Sequence, residues 1–170
     1  MKQSLQSDRL NSLFAPWEGQ APAAIVKDLI SFKSTRHVVS TASGVRLFTC
    51  CAVDTLLIAH LLDEDVDIET TAPGHTEVLH IDVQDRQLHA SSNAVITIPV
   101  QHNDQEIRMT FCPYSNVFPD EDAYRQWAVS APVATISTSI RDAFDITSAI
   151  ADRLKKLASV NRKPESPCCA

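Results

Sequence analysis

"VDIETTAPGHTEVLHIDVQDRQLHASSNAVITIPV", residues 66–100, carries the signal that decides the fold class. Within it, residues 66–71, 77–83 and 94–100 alternate apolar with polar side chains. Successive side chains of a strand point to opposite faces, so this alternation predicts three strands with one face on a core. Outward from there, residues 106–111 alternate more loosely and are expected to add a strand, and 132–138 reads as another. Helical signals bracket these strands. Pro22 sits where a helix often begins, and Ile25, Leu29 and Phe32 follow at helical spacing over 23–32. Ala52, Leu56, Leu57 and Leu61 favour a helix over 50–62, with Thr49 available as its cap. Pro119 and the acids Asp120, Glu121 and Asp122 open a short helix to Ala128, its negative charges at the positive end of the dipole. Residues 139–159 predict a long amphipathic helix with basic residues near its end. Strands gathered between helices imply an α+β fold, a mostly antiparallel sheet flanked by helices.

The flanks set the domain organisation. Residues 1–20 are polar, with Pro16 and Trp17, and are expected to be a poorly ordered or lightly docked arm. Residues 33–44 are rich in Ser and Thr and read as a loop with a short extended piece at 37–40. The expected division is an N-terminal arm and helix over 1–42, a core domain over 43–160, and a flexible polar tail over 161–170 that ends Cys168-Cys169-Ala170. At 170 residues and 18.7 kDa, 44% hydrophobic and 21% charged, the chain is the size of one domain with a real core. Its formal charge of -6 and pI of about 5.4 repel phosphate backbones and disfavour nucleic acid as a partner. The N-terminus MKQSLQSDRL has no apolar stretch, and the most apolar run, Ala52–Leu62, is interrupted by Asp54 and His60. No membrane span is expected, and the expected location is cytoplasmic. Gly19, Gly44 and Gly74 are too scattered for a phosphate-cradling loop, so no nucleotide cofactor is expected.

The five cysteines, at 50, 51, 112, 168 and 169, form two adjacent pairs and a single, which is no disulfide framework and reads as reduced thiols. Asp63, Asp65, Asp67 and Glu69 alternate like a calcium loop, but Ile68 and Gly74 stand where an EF-hand needs glycine and glutamate. A solvated turn entering a strand is the better reading. His75, His80, His89 and His102 lack a metal-ligand spacing.

The unusual feature is "RLFTCCAVDTLLIAH", residues 46–60. At about 100° per residue, Cys51 and Asp54 are separated by about 300° and share one helix face, whereas His60 falls opposite Cys51. Packing accounts for Cys51 as a small buried hydrophobe, but a carboxylate among Val53, Leu56, Leu57 and Ile58 is costly unless paired. A helix N-terminus also favours thiolate, so Cys51 is expected to be ionisable. By the same rotation Cys50 is expected to point away from that face as a packing residue. Cys112, at the end of a predicted strand and before Pro113, supplies a second thiol. Two thiols and one carboxylate suit a soft cation such as Hg(II), Cu(I) or Zn(II), held in an open site because no fourth ligand is evident. Spacing alone leaves packing, metal binding and thiol chemistry open.

"GVRLFTCCAVDTL", residues 44–56, resembles the segment of the organomercurial lyases (alkylmercury lyases) that reads roughly Gly-x-Arg-Leu-aromatic-x-x-Cys-Ala-Leu-Asp-Thr. "FC" at 111–112, followed by an aromatic-rich stretch and an acidic helix, resembles the segment carrying that family's second cysteine. Order and spacing agree from about residue 38 to 157. The resemblance implies that Cys51 and Cys112 are the catalytic and mercury-binding cysteines and Asp54 the catalytic, mercury-contacting aspartate. It implies protonolysis of the carbon–mercury bond of R–Hg⁺ with no organic cofactor and Hg(II) left as bound product. A thiol acceptor, such as a mercuric reductase, would then remove the metal. It further implies an α+β core preceded by a winged-helix-like region, shortened here to some 40 residues. Pro113 stands where some members carry another cysteine, and Cys50 where an aromatic is often found. Two rival readings stand beside it: a Cu(I) or Hg(II) carrier that uses the same three residues and cleaves nothing, and an enzyme of specialised metabolism on this fold that acts on another carbon–heteroatom bond.

Overall fold

The computed structural model describes residues 2–103 and 105–161, with side chains from Asp8 onward; of the expected tail, residues 162–170, with Cys168 and Cys169, lie outside the described residues. The fold is α+β, built on two antiparallel sheets. The larger has six strands in the order β1 (Ile30–Ser31), β3 (Arg46–Thr49), β2 (His37–Thr41), β4 (Val66–Thr71), β5 (Val78–Gln84) and β6 (Gln87–His89). The smaller places β7 (Val95–Pro99) between β8 (Val117–Phe118) and β9 (Thr135–Ser139).

Register follows the alternation in the sequence. Val39, Ile68 and Ile81 stand opposite one another across β2, β4 and β5, and Val66, Val83 and Leu88 form the next row. All six are buried. Asp67 faces Asp82, and Glu69 faces His80, on the other side. A slip of one residue would carry every apolar side chain to solvent, which fixes the pairing. Strand β7 is buried on both faces: Ile96 and Ile98 join the main core, while Val95 meets Phe118 and Tyr124 in a smaller cluster.

Helix α3 (Ala52–Leu62) is the centre of the molecule. It is apolar all round, and every residue from Ala52 to Leu61 is buried, as a helix with no polar face must be. It is covered by α2 (Pro22–Leu29), by α6 (Ile140–Asn161) and by the larger sheet. His60 is spent in this packing, its Nε2 3.1 Å from the Phe144 carbonyl and its ring 4.3 Å from the Phe144 ring. Helix α5 (Glu121–Ala128) begins as expected after Asp120, whose Oδ1 accepts the Ala123 N–H at 2.8 Å.

Several expectations are corrected. The stretch 1–20 is not a lightly docked arm, because it contains α1 (Lys2–Phe14), with Leu10, Leu13 and Phe14 buried in the main core. Those three sit at i, i+3 and i+4, one helix face. Residues 106–111 are not a strand. Ile107–Thr110 is a single helical turn, α4, and Cys112–Tyr114 a 3₁₀ turn. Local bonds win there: the Glu106 carbonyl accepts the Met109 and Thr110 N–H groups, and the Thr110 hydroxyl accepts the Asn103 N–H. Thr49 is not the cap of α3; that position belongs to Cys51.

Candidate active site

Strand β3 runs into the N-terminus of α3 through Cys50 and Cys51. The Cys50 N–H donates to the Leu29 carbonyl at 3.1 Å, which ties the junction to the end of α2. Cys51 is extended, with φ −155° and ψ 175°, and caps the helix through a reciprocal pair. Its sulfur accepts the Asp54 N–H, and its own N–H donates to Asp54 Oδ2 at 3.0 Å. This is a capping box in which cysteine replaces serine or threonine and aspartate replaces glutamate. The i, i+3 spacing thus acts through the cap as well as the helix face.

The next two N–H groups of the helix are taken by Ser115. Ala52 N–H donates to its carbonyl at 3.1 Å, and Val53 N–H to its hydroxyl at 3.3 Å. Ser115 closes the turn that begins at Cys112, and its N–H returns to the Cys112 carbonyl at 3.3 Å. The same turn is held to β7, where the Thr97 hydroxyl donates to the Tyr114 carbonyl at 2.7 Å. The helix N-terminus, whose free N–H groups need acceptors, therefore clasps the segment that carries the second thiol. Cys51 and Cys112, 61 positions apart in the sequence by their numbers, are brought together with Asp54. The two sulfurs and a carboxylate oxygen all lie within 4.8 Å of one another, and all three residues are buried. Among the described residues no other group of three such side chains converges, and the histidines at 75, 80, 89 and 102 form none.

Burial sets the protonation. It pushes the Asp54 carboxyl up to about 7, against hydrogen bonds from Cys51 and the charge of Arg108. It raises the Cys51 thiol well above its usual range, helped by the hydrogen bond to Cys112 and the charge of Asp54. The expectation that the helix N-terminus would favour a Cys51 thiolate is thus overturned, because desolvation outweighs the dipole.

The site opens to solvent through a cavity of about 470 Å³. Cys50, Asp54 and Cys112 line it together with the apolar Trp17, Leu29 and Ile107. Arg108 borders it and donates to the Asp28 carbonyl at 2.7 Å, joining α4 to α2. Cys50 does not point away as expected. It precedes the helix, so the helical rotation does not apply to it, and it shares the cavity with Asp54 and Cys112.

The model of the family described as alkylmercury lyase matches residues 30–152. Curated alkylmercury lyases from Bacillus cereus and Clostridium butyricum are each 26% identical to this chain over 131 residues, covering 76% of it and 58% of their own length. One from Streptomyces lividans is 27% identical over 105 residues, 61% of this chain and 48% of that one. This chain therefore spans about half the length of these relatives. A solved structure, the mercury-bound form of MerB2, shares the fold with a TM-score of 0.63 at 20% identity, over 76% of this chain and 62% of that one. With the family model matched across most of its length and the sheets and helices arranged alike, the chain belongs to the alkylmercury lyase family.

Proposed function

We propose that this protein cleaves the carbon–mercury bond of an organomercurial by protonolysis. The observation that carries the reading is the convergence of Cys51, Asp54 and Cys112 beside a cavity that Asp54 and Cys112 line. Cys112 lines the cavity and captures R–Hg⁺ as a thiolate, its proton leaving with the displaced ligand. Asp54, protonated at the start, passes its proton to the carbon as the carbon–mercury bond breaks. Cys51, fully buried, bonds to mercury in place of the carbon and gives its own proton to the Asp54 carboxylate so formed. The balance is one Cys51 S–H and one R–Hg bond consumed, one Hg–S bond and one R–H formed. A carboxyl with a pKa of about 7 suits a general acid at neutral pH. The product Hg(II) rests on two sulfurs, which its softness favours. The cycle needs no organic cofactor, and a thiol acceptor, such as a mercuric reductase, completes it in the cytoplasm. Among the described residues no helix is long and apolar enough to cross a membrane.

The test is to incubate the purified protein with phenylmercury and excess thiol and assay benzene. Benzene release at a rate that depends on Asp54 supports the lyase. Tight retention of phenylmercury or Hg(II) with no benzene would replace it with a soft-metal carrier.

A further inference from the structure

In the proposed cycle Hg(II) ends on Cys51, which is 0% exposed, and Cys112, which is 8% exposed. Two-coordinate mercury exchanges thiolates associatively, because an incoming sulfur must bond before a bound one leaves. An acceptor thiol in solution cannot reach the metal from the Cys51 side, which is closed by the core. The same cavity holds a third sulfur. Cys50 lines it with Asp54 and Cys112 and is only partly buried. It thus faces the same space as the carboxylate and the second thiol. Its S–H makes only a weak bond, 3.7 Å to the Ile30 carbonyl, and can be released at small cost. Burial, then the charge of Asp54, push the Cys50 thiol up to about 11 against the charge of Arg108, so it rests as a thiol and gives up its proton only on binding mercury.

We propose that Cys50 is the transfer thiol of this site: it takes Hg(II) from Cys51 while Cys112 still holds it, and presents the metal to an acceptor thiol at the cavity mouth. This rests on the mercury-binding reading of the Cys51, Asp54 and Cys112 cluster. In the step, a Hg–S bond to Cys50 forms and the bond to Cys51 breaks. The Cys50 proton passes to the departing Cys51 sulfur, with Asp54 between them as carrier, and nothing is oxidised or reduced. Cys51 is thereby returned to the thiol form that the next cleavage requires. The acceptor then attacks a metal held by the two thiols that border the cavity.

The experiment separates transfer from cleavage. Wild-type protein, Cys50→Ser and Cys50→Ala are loaded with one equivalent of HgCl₂, and Hg(II) transfer to a dithiol is followed by stopped flow. All three should retain one Hg(II) per chain, and both variants should release it at least about tenfold more slowly, since an intramolecular exchange step is lost. Wild-type release rates in folded variants would overturn the proposal. Should both variants fail to fold, alkylation of wild-type cysteines with iodoacetamide, resolved peptide by peptide, gives the answer instead. One equivalent of HgCl₂ should protect Cys50 along with Cys51 and Cys112, and equal Cys50 labelling with and without metal would overturn it. Because neither arm measures benzene, a Cys50-dependent transfer in a protein that never releases benzene would refute the lyase reading and leave this one standing.

Discussion

Asp54 is held where a carboxylate is least stable, in a site with no ion-pair partner within its first turn. Its hydrogen bonds from Cys51 and the charge of Arg108 do not offset its desolvation, and the carboxyl stays up at about 7. The linkage has a definite sign. A carboxyl whose folded pKa exceeds its unfolded value adds stability at low pH, and that stability is lost as pH rises through the folded pKa. Asp54→Asn should therefore raise the melting temperature more at pH 8 than at pH 5. The same variant should still capture phenylmercury but release benzene about 10²–10⁴-fold more slowly, the usual worth of a general acid. In wild-type protein, single-turnover cleavage should fall as pH rises through about 7. A variant as fast as wild type would remove Asp54 from the chemistry. The pairing of Cys51 with Asp54 was legible because a carboxylate interrupts an apolar run at i, i+3. The position of Cys50 is not legible from helical rotation, because it stands before the helix and its cap. The structure alone reveals Ser115, since a serine after a tyrosine carries no signal that it closes a helix N-terminus 62 positions away by sequence number.

At the scale of elements, the site depends on one junction, where α3 begins and the turn at Cys112 is pinned to it. Ser115→Ala removes the acceptor of the buried Val53 N–H, a loss of about 1–2 kcal/mol. Because the Ser115 carbonyl still binds Ala52 N–H, the turn should stay attached but loosen. Benzene release should drop several-fold, with Hg(II) stoichiometry kept, and a rate equal to wild type would mean that the backbone bond alone positions Cys112. The strands were legible where alternation was long. The turn α4 was not, since its apolar–polar alternation over six residues imitates a strand while its bonds are local. A second element-level feature is the contact between β2 and β4, where His37 Nδ1 lies 2.8 Å from the Thr70 hydroxyl inside the sheet. Burial, then the charge of Arg36, hold this imidazole down to about 4. A histidine with a depressed folded pKa contributes stability that is full above its unfolded value of about 6.5 and is lost as pH falls towards 4. Between pH 7 and pH 5 this group should cost about 2 kcal/mol, read as a shift in urea midpoint, and His37→Gln should flatten that loss.

Across the whole molecule, the order β1-β3-β2-β4-β5-β6 and the separation of a second sheet are set by long-range pairing, which no local pattern encodes. The α+β class was legible; the strand order was not. The place of the N-terminal segment is hidden for a different reason. Its polar composition masks three apolar residues that share one helix face, and the face matters more than the average. Leu10 is 0% exposed and Phe14 1% exposed, in the same cluster as Ile25, Ile96 and Leu154. Phe14 in turn stacks on Trp17 at 5.4 Å, and Trp17 walls the cavity that leads to Asp54 and Cys112. Helix α1 is thus joined through one aromatic pair to the access route of the site. Leu10→Ala should cost about 2–5 kcal/mol, the range for a leucine removed from a closed core. A lightly docked arm would lose less than about 0.5 kcal/mol from the same change. The measurement is urea unfolding followed by far-UV circular dichroism and by tryptophan fluorescence together. One coincident transition, shifted to lower urea in the variant, places α1 in the cooperative unit with the site. An early fluorescence change that leaves the main transition unmoved would show that α1 detaches on its own, and would return residues 1–20 to the status of an arm.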